Sequence, residues 1–365
     1  MLEKIRTLLG DSRGSRNETP AGQRFRRCVL HIGTEKTGTS TIQRFLALNR
    51  AALAQEGVIY PATTGMHGGS QWAFVASAQE KAWEMDIGVA LGVRSPEAQQ
   101  EYVERLCESL QREFDESPAA DTLLISSEHL HSRLYNPAQI SRLKAYLSAW
   151  AEQYEVVLYL RRQDRVAVSL YSTKIKSGNA KPEVFHGNPK GPLPYYFDYE
   201  KIYQNWLSVF GEEALRVRLF GPDEFEGGDL LTDFCSVVGL QQAGKKIPAP
   251  ENIALDPAGA AFLLELNRQL PNAADGRVNP DRVALAQLVS NLSSGGLYPV
   301  TREQARQFYD RCAEANERLK SRLFPGRSKP LFDEDFSDYP ESLEGLAPRY
   351  ADAVSIAIGI WRALR

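Results

Sequence analysis

Two patterns of apolar residues divide this chain. Up to about Gly239, short apolar runs alternate with longer stretches in which apolar residues recur every three or four positions. The runs are CVLHIG at Cys28–Gly33, VIYP at Val58–Pro61, TLLIS at Thr122–Ser126, EVVLYL at Glu155–Leu160 and ALRVRLF at Ala214–Phe220. Near-continuous apolar runs of this length predict buried strands, and the intervening spacing predicts helices. Helices are expected from the residues after Gly38 to Gly57, and over Trp72–Trp83, Pro96–Phe114, Asn136–Gln153, Gln163–Lys176, Tyr199–Phe210 and Asp229–Val238. Strands separated from one another by helices predict an α/β fold, a three-layer sandwich around a mostly parallel sheet.

Beyond Gly239 the strand pattern stops. Helical spacing is expected over Pro257–Leu270, Asp281–Leu292 and Thr301–Leu323, then a Pro-rich acidic linker and an amphipathic helix over Pro348–Leu364. The predicted organisation is a flexible arm over residues 1–26, one α/β domain over 27–325 whose helical part starts near 250, and a linker with its helix over 326–365. Two loops interrupt the pattern. TTGMHGGSQ carries His67 in a Gly-rich setting, and Ser177–Pro194 holds too much Gly, Pro and Asn for a regular element, which suits a lid or binding loop.

Composition narrows the function classes. With 43 Lys+Arg against 46 Asp+Glu the net charge is −3, so no global basic surface invites nucleic acid or a membrane. The four cysteines, Cys28, Cys107, Cys235 and Cys312, form no C-x-x-C pair and stand at no metal-ligand spacing with the histidines. Reduced core thiols, no metal site, no transmembrane segment and a cytoplasmic location are the expectation.

Candidate chemistry concentrates in CVLHIGTEKTGTSTIQ, Cys28–Gln43, which reads as strand, tight loop and helix. Gly33 and Gly38 permit close backbone approach, and Thr37, Thr39, Ser40 and Thr41 add hydroxyls at a helix N-terminus, where orphan amides and the helix dipole favour an anion. An ordinary Gly/Thr-rich βα turn is the alternative. The loop is P-loop-like but lacks G-x-x-x-x-G-K-[ST], because its lysine sits inside the loop at Lys36.

Lys36-Thr37-Gly38-Thr39-Ser40 resembles the 5′-phosphosulfate loop P-K-[ST]-G-T-[ST] of sulfotransferases, with Glu35 in place of the proline. A second stretch, Arg161 to Ser169, resembles the family's 3′-phosphate motif R-x-P-x-D-x-x-x-S. Gln163 replaces its proline and Asp164 comes one place early. Taken alone, Arg161 serves equally well as a structural ion-pair partner and Ser169 as an ordinary helix serine. The family's C-terminal R-K-G-x-x-G-D-W-K motif is absent, and Ser293-Ser294-Gly295-Gly296 is its only Gly-rich stand-in. The resemblance, spanning about Arg27 to Gly239, implies a sulfotransferase that uses 3′-phosphoadenosine-5′-phosphosulfate (PAPS), without a metal. It implies Lys36 to Ser40 at the 5′-phosphosulfate, and Arg161 and Ser169 at the 3′-phosphate.

Lys36 would then oppose charge growing on the leaving phosphate's bridging oxygen. The base that takes the acceptor's proton is expected among Glu128 first, His129 second and His67 third, with His131 nearby. The expected acceptor is a hydroxyl, which the resemblance makes a carbohydrate, with a small-molecule alcohol or a peptide tyrosine as rivals; Trp72, Tyr195, Tyr196 and Phe197 would be stacking surfaces and Lys181, His186 and Lys190 polar partners. The same aromatics read as well as core residues. A P-loop-like phosphotransferase and a non-catalytic binding protein of the same fold are the competing expectations.

Overall fold

A computed structural model describes residues 24–64, 69–185, 191–249, 254–271, 273–274, 277–344 and 348–365. Of the N-terminal arm expected over residues 1–26, residues 1–23 lie outside the described residues, and Phe25 and Arg26 belong to the first strand rather than to an arm. The chain forms two compact units, Met1–Arg161 with Tyr199–Ala249 and Arg162–Asp198 with Pro250–Arg365.

The first unit is built on a five-stranded sheet of β1 (Phe25–Gly33), β2 (Val58–Ile59), β3 (Thr122–Ser126), β4 (Ala151–Leu160) and β5 (Leu215–Leu219). Their order is β2-β3-β1-β4-β5 and every pairing is parallel. Helices cover both faces. On one, Val29, Leu124, Val157 and Tyr159 pack against Ile42, Phe45 and Leu46 of the helix Thr39–Leu48 and against Phe234 and Val238 of the helix Leu230–Val238. On the other, Phe114 sits between Phe25 and Trp150 in edge contacts, with Tyr146 beyond Trp150. These layers follow from strands that are apolar on both sides.

Two boundaries depart from the sequence expectation. The helix begun by Asn136 runs over Pro137–Leu147 and stops six residues before Gln153, because Ala151 and Gln153 are already paired with Phe25 and Arg27 of β1. Local helix formers in AEQYE yield there to a strand ladder. The helix Trp72–Ala78 ends before Trp83, and a 3₁₀ turn (Ala82–Glu84) and a short helix (Asp86–Ala90) follow. Gln99 explains the break: its side chain accepts from the Ala82 amide at 2.9 Å and donates to the Gln79 carbonyl at 3.0 Å, satisfying backbone groups outside any helix.

The second unit is helical, with Gln163–Lys176, Pro257–Gln269, Pro280–Leu292, Arg302–Leu323 and Tyr350–Ala363. Arg282, 1% exposed, caps the first of these by donating to the carbonyls of Ile175 and Lys176, and Asn267 accepts from the same guanidinium at 2.7 Å. Strand pairing does not stop entirely past Gly239: Ala273–Ala274 pairs antiparallel with Arg277–Val278. Two-residue strands leave no apolar run to read. All four cysteines are buried and free of disulfides.

Candidate functional site

Strands β3, β1 and β4 are adjacent, so the segments leaving their carboxyl ends share one edge of the sheet: Ser127-Glu128 after β3, the Lys36 loop after β1 and Arg161 after β4. The chain reverses its order here, since β2 and β3 lie to one side of β1 and β4 and β5 to the other. Such a reversal opens a crevice at the strand ends.

A register shift between His31 and Gly33 ends β1, and the loop then passes through left-handed backbone at Gly33 (φ 96°), Lys36 (φ 67°) and Gly38 (φ 73°). Lys36 is the single non-glycine in that region among the described residues, a conformation costing about 1–2 kcal/mol per residue. Surrounding bonds hold it there. Arg161 Nη1 donates to the Lys36 carbonyl at 2.8 Å, the Thr34 amide and hydroxyl donate to the Tyr159 carbonyl at 2.9 and 3.1 Å, and Thr37 Oγ1 donates to the Thr34 carbonyl at 2.6 Å. The Arg161 guanidinium lies over the Phe220 ring at 5.2 Å, and Tyr199 Oη donates to the Arg161 carbonyl at 2.6 Å. Gly38 is the N-cap of the helix Thr39–Leu48, and no side chain caps that helix. The Thr41 and Ile42 amides donate to the Gly38 carbonyl at 3.0 and 3.2 Å, so the amides that helix geometry leaves for an anion are those of Thr39 and Ser40, at its first two positions.

The proposed bases are neighbours rather than rivals. Glu128 Oε2 accepts from Gln43 Nε2 at 2.5 Å and from Ser70 Oγ at 3.3 Å, while Oε1 lies 3.7 Å from His129 Nε2. His129 Nδ1 faces Glu35 Oε1 at 3.6 Å, and its ring makes an edge contact with Trp72 at 5.2 Å. Glu35 is tied down by Arg133 Nη1 at 2.9 Å, and Arg133 also reaches Asp86 at 2.8 Å. Burial pushes the Glu35 carboxyl up, but His129 and Arg133 outweigh it and hold it well below the usual glutamate value. Glu35 therefore keeps its charge and turns it to Arg133.

The other expected residues separate. Thr37 and Thr39 are buried and Ser40 is exposed. His131 is fully buried in the short helix His129–Arg133, and His67 lies outside the described residues, as do His186 and Lys190. Ser169 belongs to the second unit, on the helix Gln163–Lys176, where its carbonyl accepts from Thr173 Oγ1 at 3.1 Å. Asp164 of the same motif is buried and structural, paired with Arg162 at 2.8 Å and accepting from Tyr339 Oη at 2.7 Å. The stacking role expected of Phe197 is corrected: it is 1% exposed and packs with Val166, Ala167 and Phe308, while Tyr196, half-buried, packs against the same cluster. Val184, Phe185 and Leu193 of the expected lid loop join that cluster, which an apolar loop does when a core needs filling. Ser294 donates to Asp256 from its amide at 3.0 Å, which accounts for that Gly-rich stretch as helix capping. Gln43, Ser70 and Arg133 escaped sequence reading, since no motif names them. Gln43, one turn into the loop's helix, was the readable signal.

Among the described residues no group of three or more His, Cys, Asp or Glu side chains is placed to hold a metal, and no helix is long and apolar enough to cross a membrane. No family model matches the chain, and no solved structure matches it. A protein of Archaeoglobus fulgidus described as uncharacterized is 24% identical over 217 residues, which span 58% of this chain and 56% of that protein.

Proposed function

We propose that this chain moves the sulfuryl group of PAPS to a hydroxyl of an acceptor, a carbohydrate. The observation that carries the reading is the 2.8 Å hydrogen bond from Arg161 to the Lys36 carbonyl. The two stretches that resemble sulfotransferase motifs are 125 residues apart in sequence, yet they touch. A plain βα turn gives no reason for a distant arginine to brace a left-handed lysine.

In this reading the 5′-phosphosulfate lies on the helix start after Gly38, and Lys36 opposes charge as it grows on the bridging oxygen of the leaving phosphate. That contact strengthens in the transition state, so it lowers the barrier rather than merely binding substrate. Glu128 takes the acceptor proton, its carboxylate oriented by Gln43 and Ser70. Trp72, half-buried beside His129, offers an apolar face for a sugar ring.

The test is thermal denaturation with 3′,5′-ADP and with ATP, followed by incubation with radiolabelled PAPS and panels of glycans, phenols and peptides. A ligand that binds only the native state at a hundredfold excess over Kd stabilises it by about 2.7 kcal/mol. 3′,5′-ADP is expected to raise the melting temperature more than ATP, and label is expected on glycans. Equal shifts with both nucleotides refute the PAPS reading, and label on phenols alone refutes the carbohydrate acceptor.

A further inference from the structure

Within the second unit, the helix Tyr350–Ala363 packs only one of its faces. Ile356 and Ile360 join the cluster formed by Leu255, Leu263 and Val289 of that unit. The opposite face carries Tyr350, Val354, Ile358 and Trp361, spaced by four, four and three residues, and all four are exposed, Trp361 by 53%; Leu364, 71% exposed, extends the apolar surface just past the helix end. That spacing is one continuous helical stripe. Leu292, 46% exposed, packs on the helix beside the stripe at Gly359, its Cδ1 2.7 Å from where a Cβ would stand. Exposed apolar surface that is contiguous, unlike scattered single residues, marks a surface meant to be covered.

Charge selects the occupant. The stripe is flanked by Arg349 at one end and by Arg362 and Arg365 at the other, all exposed, and Arg365 lies over the Trp361 ring at 3.8 Å. The helix holds one acid, Asp352, which accepts from the Arg349 amide at 2.8 Å and pairs with the Arg349 guanidinium at 3.5 Å, so the positive charge left over is that of Arg362 and Arg365. A second copy packing this stripe against itself in antiparallel fashion would set Arg362 and Arg365 opposite the balanced Arg349–Asp352 pair, which offers them no counter-charge. An anionic surface meets the same two arginines favourably. Aromatic rings near both ends, arginines beside them and aliphatic residues between are the signature of a helix lying in a membrane interface rather than crossing it. At about 1.5 Å per residue the helix is about 21 Å long, so both ends can reach the headgroups at once.

We propose that the stripe Tyr350–Val354–Ile358–Trp361–Leu364 docks this protein on an anionic lipid surface. This inference stands apart from the proposed chemistry, and the net charge of −3 gave no hint of it. The test is cosedimentation of the full chain with vesicles of phosphatidylcholine alone and with 30% phosphatidylglycerol, at about 50 and 300 mM salt, alongside light scattering of the protein without lipid. Binding to the anionic vesicles is expected, weaker at high salt. The exposed double substitution Ile358→Ser with Trp361→Ser should reduce it by about tenfold or more at unchanged melting temperature. Arg362→Ser with Arg365→Ser should reduce it at low salt alone. Absence of vesicle binding overturns the proposal, as does binding that the serine pair leaves intact. A dimer in lipid-free solution that the serine pair dissociates, with no vesicle binding, assigns the stripe to a second copy instead.

Discussion

His31 gives the sharpest quantitative prediction, because it sits on β1 two residues before the loop and is fully buried. Its Nδ1 is 2.8 Å from Ser126 Oγ, while Nε2 meets no hydrogen-bond partner among the described residues. The ring is walled by Phe234 at 5.2 Å and Tyr159 at 6.0 Å. Protonation would strand a charge there, so burial pulls the folded pKa from 6.5 down to about 3. The unfolded chain then binds a proton at pH 5 that the native chain refuses, so this contribution to stability is complete above pH 6.5 and falls as pH drops toward 3. One pKa unit is about 1.36 kcal/mol, so the loss is about 1 kcal/mol by pH 6 and about 2 kcal/mol by pH 5. Urea denaturation of the wild type and of His31→Gln between pH 5 and 7.5 isolates this term, because the other titrating groups are common to both. Glutamine retains a partner for Ser126 and has no proton to refuse. The wild type should lose about 2 kcal/mol more than the variant over that range. Parallel stability curves, or a His31 ring that titrates near 6.5 by NMR in the folded protein, would refute the reasoning.

Four further outcomes follow from the site. Lys36→Ala should cut turnover far more than it weakens 3′,5′-ADP binding, and calorimetry beside a radiolabel assay reads both; turnover preserved would remove the lysine from the leaving group. Arg161→Ala deletes a charged hydrogen bond and the contact with Phe220, about 2–3 kcal/mol together, so it should lower the melting temperature as well as nucleotide affinity, whereas a pure phosphate ligand would affect affinity alone. Gly38→Ala forces a side chain to φ 73° and sets its Cβ 2.2 Å from Leu230 Cδ2, so a destabilisation of about 1–2 kcal/mol and weaker nucleotide binding are expected in chemical denaturation and calorimetry. Glu35, held below the ordinary glutamate value, lends stability that is complete above about pH 4.5 and is lost as pH falls further; Glu35→Gln should be less stable at pH 7 and lose less on acidification.

The sequence by itself determined the strands of the parallel sheet and the helices between them, apart from the boundaries near Trp83 and Gln153. Runs such as TLLIS, too short for a helix, read as buried strands, and the boundaries Thr122–Ser126, Gln163–Lys176 and Tyr199–Phe210 were readable to the residue because Ser, Pro and Gly signals or a change of period close each of them. The loop was legible too, since glycines and hydroxyls at fixed offsets are a local property. What tertiary structure alone decided is which distant groups meet. Sheet order brings the ends of β3, β1 and β4 together, and no local signal carries that order. The fate of Glu35 shows the consequence: in the sequence it is a proline replaced by a charge, in the fold it is the partner of His129 and Arg133. The aromatics show the converse. Tyr196 and Phe197 look the same in one dimension whether they face a sugar or a core, because apolar surface is buried by whatever lies opposite it, and only the fold supplied Val166 and Phe308.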